Sequence, residues 1–156
     1  VFIQAKNLHY GLDFCPAFWD WLIANNTAGQ VFSIEKVGDE IEAINDELAV
    51  WAAERGAEFF LKPDAAILAA LAKVSAWVTS QRYEPAAINT FLQIADYYLI
   101  GYALAHGHTV VTHEKASASN KQIKIPEPCI GLGVKCMTPF EILRHERARF
   151  ILGPQG

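Results

Sequence analysis

One segment of this chain constrains its fold more than any other: an apolar helix that leads through a glycine into a short β-branched strand. The helical pattern covers Ile94–Ala103 with Asp96 near its start, and the strand pattern follows at His108–Thr112 and runs on into Glu114. A helix followed at once by a strand is a building unit of α/β folds. We therefore expect Asp96 and Glu114 to meet at one edge of the sheet, although they lie far apart in the sequence.

Strand-like and helix-like segments alternate along the rest of the chain. The predicted strands are 2–3, 31–34, 59–61, 109–112 and 134–136, and the predicted helices are 17–24, 34–56, 66–78, 85–107 and 139–143. This alternation predicts a single α/β domain over residues 1–156, with Phe2, Phe32 and Val110 in one mainly parallel sheet and helices on both faces. Since the chain opens on β-forming residues and not on Met, we expect it to start inside its first strand.

Composition excludes several classes of protein. Apolar residues make up 52% of the chain, which argues against disorder. The most apolar stretch is interrupted by Gln93 and Asp96, so neither a membrane span nor another membrane association is expected. Three unevenly spaced cysteines are typical of reduced cytoplasmic thiols. The net charge of -4 is unfavourable for phosphate contacts, but bound divalent ions would offset it in a metal-dependent nuclease.

Three acidic residues stand where metal ligands are expected in such a fold. Glu40 lies in the helix after the strand at Ser33, Glu114 directly follows the strand at Val110, and Asp96 depends on helix packing to reach them. Sites in parallel sheets form outside the carboxyl ends of the strands, and oxygen ligands suit Mg²⁺ or Mn²⁺. A metal held there would activate water and stabilise the leaving oxygen during phosphodiester hydrolysis.

Each acid also has an ordinary structural interpretation. Glu40 has acidic neighbours in Asp39 and Glu42, as a solvated helix surface does, and Glu114 is compatible with the start of a loop. Asp96 is harder to explain in this way, because a carboxylate in an apolar helix is costly to bury without a partner.

Taken together, these segments resemble the PIN-domain family of metal-dependent ribonucleases, which includes the VapC-like toxins. The resemblance covers almost the whole chain and looks closest to a PIN-like subfamily of unassigned function. It is carried by Val1-Phe2-Ile3, Ser33–Glu40, Ala95–Ala103 and Val110–Glu114, with Phe18–Leu22 and Lys124–Cys129 as further matching segments.

The resemblance implies a three-layer α/β/α sandwich with an acidic pocket for Mg²⁺ or Mn²⁺. Matched residue by residue, Glu40, Asp96 and Glu114 are its second, third and fourth acids, and Thr112 is the small polar residue beside the metal or the scissile phosphate. The fourth acid of that family is usually Asp, and its first belongs to an Asp-x-Asn motif that would directly precede Val1. The implied function is a cytoplasmic endoribonuclease acting on RNA, the toxin of a prokaryotic toxin–antitoxin pair. A cognate antitoxin and a homodimer are the partners to test.

Other interpretations stay open. A PIN-like module without activity would bind protein or RNA, and a structure-specific DNA nuclease would share the metal chemistry. Structural zinc at Cys129 and Cys136 lacks a compact Cys-x-x-Cys pair, and a thiol enzyme at Cys15 lacks a matched His partner. His113 beside Glu114 is a candidate proton donor, although polar surface is the more ordinary role for a His at the end of a strand.

Overall fold

The computed structural model describes residues 1–153 as a mixed α/β fold in which helices predominate. Its helices are α1 (Phe2–Gln4, continued by a π-helical turn at Ala5–His9), α2 (Pro16–Thr27), α3 (Glu35–Glu42), α4 (Glu47–Phe59), α5 (Ala66–Ser80), α6 (Pro85–Phe91), α7 (Ala95–His106), α8 (Pro126–Leu132) and α9 (Pro139–His145). Its strands are β1 (Ser33–Ile34), β2 (Phe60–Leu61), β3 (Val110–Val111) and β4 (Cys136–Met137).

The described strands form two separate parallel pairs. In the first pair Ser33 of β1 lies opposite Phe60 of β2, and in the second Val110 of β3 lies opposite Cys136 of β4. The α/β class and the parallel direction of the strands are confirmed. The expectation of one sheet containing Phe2, Phe32 and Val110 is wrong, because Phe2 is helical and Phe32 precedes β1. A three-layer sandwich requires one sheet, whereas the strands within residues 1–153 make two.

The first residues form a helix and not the predicted strand. The amide of Ala5 donates to the carbonyl oxygen of Val1 at 2.8 Å, which closes a helical turn. The Phe2 ring packs against Trp51, Phe59 and Phe60, with ring centroids 5.9, 6.0 and 6.1 Å away. Burial among these aromatic rings overrides the preference of Phe2 and its neighbour for extended backbone.

The predicted helix 34–56 is two helices with a corner between them. Asn45 at the corner adopts a left-handed backbone with φ 57°. Asp46 then caps α4, since its carboxylate accepts hydrogen bonds from the amides of Leu48 and Ala49 at 2.9 and 3.1 Å. Ser33 lies in β1, and α3 begins without a side-chain cap.

The predicted helix 85–107 is also two helices, and the break moves Asp96 to the start of α7. α6 ends at Phe91, and α7 begins at Ala95 after an extended residue, Ile94. Asp96 is therefore the second residue of its helix, where the peptide dipole favours negative charge. α7 ends at Gly107, whose φ of 70° is a backbone conformation typical of glycine at a helix end.

Helix α7 packs closely on α5 and contacts both strand pairs. A Cβ atom on Gly101 would lie 2.5 Å from the Leu71 side chain of α5, so glycine is what allows these two helices to pack closely. α7 also contacts both β1 and β3, one strand from each pair. The two strand pairs thus share one supporting helix, and their positions relative to Asp96 are fixed by the same element.

None of the helices within residues 1–153 has the length and apolar character that crossing a membrane requires. The cytoplasmic location stays a prediction.

Candidate functional site

The three predicted acids line one cavity of about 1030 Å³. Glu40 reaches it from α3, Asp96 from the first turn of α7, and Glu114 from the segment after β3. Thr112 and Lys124 also line it. The structure therefore brings together the acids that the sequence placed at one edge of the fold, although the sheet expected to support them is divided.

Glu40 is held in place by the helix that carries Asp96. Its Oε1 accepts a hydrogen bond from the amide of Ala95 at 3.1 Å, and Ala95 is the first residue of α7. Ile94 precedes α7 without a capping side chain, so Glu40 supplies the oxygen that a capping residue usually provides. This contact ties α3 to α7 and sets the carboxylate of Glu40 next to the start of the Asp96 helix.

The carboxyl group of Asp96 is the most perturbed acid in the cavity. Burial and the negative charges of Glu114 and Glu40 raise its pKa from 3.8 to about 6. The ammonium of Val1 and the Lys124 side chain act in the opposite direction. Within residues 1–153 the Asp96 carboxylate has no hydrogen-bond partner in the protein, so its ionised form is stabilised by charge alone.

Glu114 is positioned by two backbone contacts. Its Oε2 accepts from the amide of Ile125 at 2.7 Å, and its own amide donates to Thr112 Oγ1 at 3.0 Å. Lys124 Nζ lies 3.6 Å from the other carboxylate oxygen, Oε1. Thr112 is buried and its hydroxyl holds the turn that leads to Glu114. The structure thus gives Thr112 a positioning contact, and its catalytic role stays a prediction.

Two cationic groups sit among the acids. The α-amino group of Val1 interacts with the charges of Asp96 and Glu114, and burial lowers its pKa more than those charges raise it. The sequence analysis named Val1 only as the residue that follows the first acid of the implied motif, and its ammonium was not expected to be a group of the site. Lys124 entered the sequence analysis as the start of a matching segment and not as a site residue, and its proximity to Glu114 follows from the loop before α8.

The carboxylates fit a divalent cation only in part. Within residues 1–153, no three or more His, Cys, Asp or Glu side chains are close enough to hold a metal ion directly. A divalent cation would nevertheless relieve the mutual repulsion of Glu40, Asp96 and Glu114. Mg²⁺ usually keeps several of its waters when it binds, so it does not need three direct protein ligands. The set therefore fits a cation held partly through water. The assignment of these acids as metal ligands stays a prediction.

Aromatic rings gather beside the acids at His113. Its ring centroid lies 5.4 Å from that of His9 and 5.6 Å from that of Phe140, while His9 and Phe140 are 5.2 Å apart. His9 and Phe140 are exposed. Burial lowers the pKa of His113, and the charges of Val1 and His9 lower it further. Each of these causes favours the neutral imidazole of His113. Sequence reasoning missed His9 and Phe140, because the three rings come from distant segments.

The cysteines do not form the rival zinc site. Cys129 is fully buried, and the Cys136 thiol hydrogen-bonds with it. Burial and this neighbour raise the pKa of Cys129 to about 12, so the metal-binding thiolate is disfavoured. All three cysteines are free thiols.

The chain matches, over residues 1–150, the model of a family described as a domain of unknown function (DUF4411), and it belongs to that family. No curated protein and no solved structure matches it. The expectation of PIN-domain membership is therefore wrong, because the matching model is that of a different family. The structure gives a physical reason as well: Val1-Phe2-Ile3, read as the end of a first strand, belongs to a helical start.

Proposed function

We propose that this member of the DUF4411 family is a metal-dependent endoribonuclease that hydrolyses RNA phosphodiester bonds at the acidic cavity. The observation that carries the proposal is the crowding of charge on Asp96: two further carboxylates face it, and its pKa is raised to about 6. Perturbed acids in a cavity are typical of functional sites, since a fold gains no stability from placing like charges together.

Glu40, Asp96 and Glu114 are the residues that would hold Mg²⁺ or Mn²⁺. When bound, such an ion lowers the pKa of a coordinated water and neutralises charge on the phosphate oxygens. The chain's own groups set the conditions for this chemistry. The amides of Ala95 and Ile125 fix one oxygen each of Glu40 and Glu114. Among the described residues 1–153, no backbone amide binds the second oxygen of either carboxylate. Asp96 loses its proton near pH 6 and is ionised at neutral pH.

Charges and rings around the cavity support a nucleic-acid substrate. Lys124 lines the cavity next to Glu114, so its ammonium is placed for phosphate oxygens. The exposed rings of His9 and Phe140 beside His113 offer faces on which unpaired bases stack. Single-stranded RNA fits this combination better than a duplex, whose bases are already stacked.

The test is RNA cleavage by the purified chain with Mn²⁺ or Mg²⁺, with EDTA, and with the variant Asp96→Asn. We expect cleavage of single-stranded RNA that EDTA abolishes and that Asp96→Asn nearly abolishes. Asp20→Asn on α2 is the matched control, because it makes the same chemical change at an exposed position outside the cavity. Cleavage that persists in EDTA and in Asp96→Asn would exclude the proposal. A DNA strand of the same sequence separates a ribonuclease from a DNA nuclease.

A second candidate is a binding module without hydrolytic activity. It is favoured by one observation: Lys124 and the ammonium of Val1 already lie among the acids and partly neutralise them. Titration calorimetry with Mn²⁺ distinguishes the two, because a binding module predicts no heat of metal binding at pH 7. The toxin role and the antitoxin partner came with the PIN resemblance and lose that support, and the homodimer stays a prediction.

A further inference from the structure

The segment between β3 and α8 is a basic loop that begins at one of the cavity acids. Residues 115–124 directly follow Glu114, and they include Lys115, Lys121 and Lys124 but no acidic residue. Residues 115–122 are all exposed. We call residues 115–124 the lysine loop. Its positive charge contrasts with the net charge of -4 of the whole chain, and a local basic patch is the electrostatic footprint of a phosphate-binding surface.

The lysine loop closes on Glu114. The carboxylate of Glu114 accepts a hydrogen bond from the amide of Ile125 at 2.7 Å through Oε2, and Lys124 Nζ lies 3.6 Å from its Oε1. Both ends of the loop are therefore held at an acid that lines the cavity. A polyanion bound along the loop would reach the acidic cavity without a change in the fold.

Hydrogen bonds inside the lysine loop fix its middle part. Ser117 Oγ accepts from the amide of Ser119, and Ser119 Oγ accepts from the amide of Lys121, each at 3.2 Å. The amide of Ser117 donates to Glu127 Oε1 on α8. A loop that is already ordered loses less conformational entropy when it binds a partner than a flexible one does.

The positive charge of the exposed lysines is not consumed by ion pairs. Among residues 1–153, no acidic side chain forms an ion pair with Lys115 or Lys121. Glu127 is the acid that contacts the loop, but it binds the backbone of Ser117, and its Oε2 is buried. Both ammonium groups are therefore available to an anionic partner.

The composition of the loop and its neighbours favour RNA over an anionic membrane. The exposed residues 115–122 are Lys, Ala, Ser, Asn and Gln, without the aromatic or large aliphatic side chains that enter a lipid surface. In the chain His113 of the ring cluster precedes Glu114, and Lys115 follows it. Rings for bases and lysines for phosphates thus adjoin the same acid, which is the combination that single-stranded nucleic acid requires.

We propose that the lysine loop binds the phosphates of single-stranded RNA beside the acidic cavity, with Lys115 and Lys121 as its exposed contacts. The inference rests on the proposed function for the identity of the polymer, and it adds which surface holds that polymer. Lysine contacts to phosphates do not depend on base sequence, so the loop supplies affinity and not sequence preference. Loss of these contacts should therefore raise KM and leave the rate at saturating RNA almost unchanged.

The test measures binding of a labelled single-stranded RNA by fluorescence anisotropy in EDTA, where metal-dependent cleavage does not interfere. The variant Lys115→Gln/Lys121→Gln is compared with Lys62→Gln/Lys73→Gln, which removes the same two charges from exposed positions outside the loop. We expect the loop variant to bind roughly tenfold more weakly at about 0.1 M salt. The slope of log affinity against log salt concentration should shrink by ~1.4, since each phosphate contact to a single strand contributes ~0.7.

Two comparisons show whether the effect belongs to the loop. The variant Lys62→Gln/Lys73→Gln should bind within about twofold of the wild type, because salt screens charges that are distant from the RNA. The variant Lys115→Arg/Lys121→Arg should bind as the wild type does, since arginine keeps the charge and the donors. Equal weakening in the two glutamine variants, or unchanged binding by the loop variant, would overturn the proposal.

A second probe separates RNA from a membrane. Vesicles of phosphatidylserine and phosphatidylcholine are offered to the wild type and to the loop variant. If the loop variant loses vesicle binding and keeps RNA binding, the loop serves a membrane and the proposal is wrong.

Cleavage assays with Mn²⁺ distinguish failure of this inference from failure of the nuclease proposal. Loop-dependent RNA binding by a wild-type protein that cleaves nothing would reject the nuclease and support the loop. Cleavage with the same KM in the wild type and in Lys115→Gln/Lys121→Gln would reject the loop and support the nuclease. We expect cleavage with a KM raised roughly tenfold in the loop variant, in line with its weaker binding.

Discussion

Two aspartates at helix starts show how position decides what a carboxylate does. Asp46 precedes α4 and accepts hydrogen bonds from two amides of that helix, and Lys6 Nζ lies 2.5 Å from its Oδ2. These contacts lower its pKa, the hydrogen bond to Lys6 most of all. Asp96 lies in the first turn of α7, where burial and the charges of Glu114 and Glu40 raise its pKa to about 6. The helix dipole favours both carboxylates, so the opposite shifts come from their neighbours.

The comparison separates an acid that stabilises the fold from one that the fold tolerates. Every contact of Asp46 favours its charged form, which is the pattern of a structural cap. Asp96 has like charges as neighbours and no hydrogen-bond partner within the described residues 1–153. Such an arrangement is typical of functional sites, and a bound cation is the use that we propose for it.

The largest expected effect is on activity. We predict that Asp96→Asn lowers RNA cleavage by at least ~10²-fold, because the amide removes the charge that holds the metal while keeping the shape. Asp46→Asn should leave the cleavage rate within about twofold, since its contacts serve α4 and Lys6 and not the cavity. Single-turnover assays with Mn²⁺ measure both rates. Equal losses in the two variants would remove the distinction between them.

The second prediction concerns stability and pH without metal. The folded-state pKa of Asp96, about 6, lies above its ordinary value of 3.8, so the folded protein binds more protons between these values. Stability therefore falls as the pH rises from about 4 to 6, and the penalty is fully present above that window. Each pKa unit corresponds to ~1.36 kcal/mol, and water in the cavity reduces the effect, so we expect Asp96→Asn to be more stable by about 1–2 kcal/mol at pH 7.

Urea unfolding at pH 4 and pH 7 measures this difference. The advantage of Asp96→Asn should be largely lost near pH 4, where Asp96 is protonated in the folded state and only partly ionised in the unfolded state. It should also shrink when Mn²⁺ stabilises the wild-type protein. A variant that is less stable than the wild type at pH 7 would show that Asp96 has a stabilising partner.

Asp46 should give a smaller effect of opposite sign. Because its folded pKa is lowered, it stabilises the fold above its unfolded pKa, and this contribution is lost as the pH falls through the lower, folded value. Removing the cap with Asp46→Ala should lower Tm by roughly 3 °C at pH 7 and by less in strong acid. Thermal scans against Glu58→Ala, an exposed acid near the other end of the same helix, isolate the contribution of Asp46.

The sequence predicted the broad arrangement better than the breaks within it. Parallel strands and apolar helices follow from periodicity, which is local information. The corner at Asn45 and the break before Ala95 were missed, although Asp46 had the residue type of a helix cap. Helix α8 was also missed, despite a proline at its first position and Gly133 in the left-handed conformation at its end.

The site was predictable to the extent that it depends on strand ends. Glu40 and Glu114 follow β1 and β3 in sequence, so their approach to one cavity could be inferred from the direction of the chain. The helical start at Phe2 could not be inferred from the sequence, because it results from packing of the Phe2 ring against aromatic rings that are distant in the chain. The ring cluster of His9, His113 and Phe140 likewise joins three segments that no local pattern relates.

The smallest predicted effect tests whether Lys124 competes with a cation for the acids. Its ammonium lies 3.6 Å from Glu114 Oε1 and acts against the rise in the pKa of Asp96. Removing that charge with Lys124→Gln leaves the carboxylates less neutralised, so they attract a divalent ion more strongly. At the effective dielectric of a partly wet cavity, loss of the Lys124 charge should raise the Mn²⁺ affinity about threefold to tenfold, measured by calorimetry at pH 7.

Lys121→Gln, exposed in the same loop, is the control for a change of net charge alone. Tighter binding in Lys124→Gln only would place the cation at the acids, whereas equal affinities in both variants and the wild type would place any bound Mn²⁺ elsewhere. Weaker binding would mean that Lys124 orders Glu114 and does not compete with the ion.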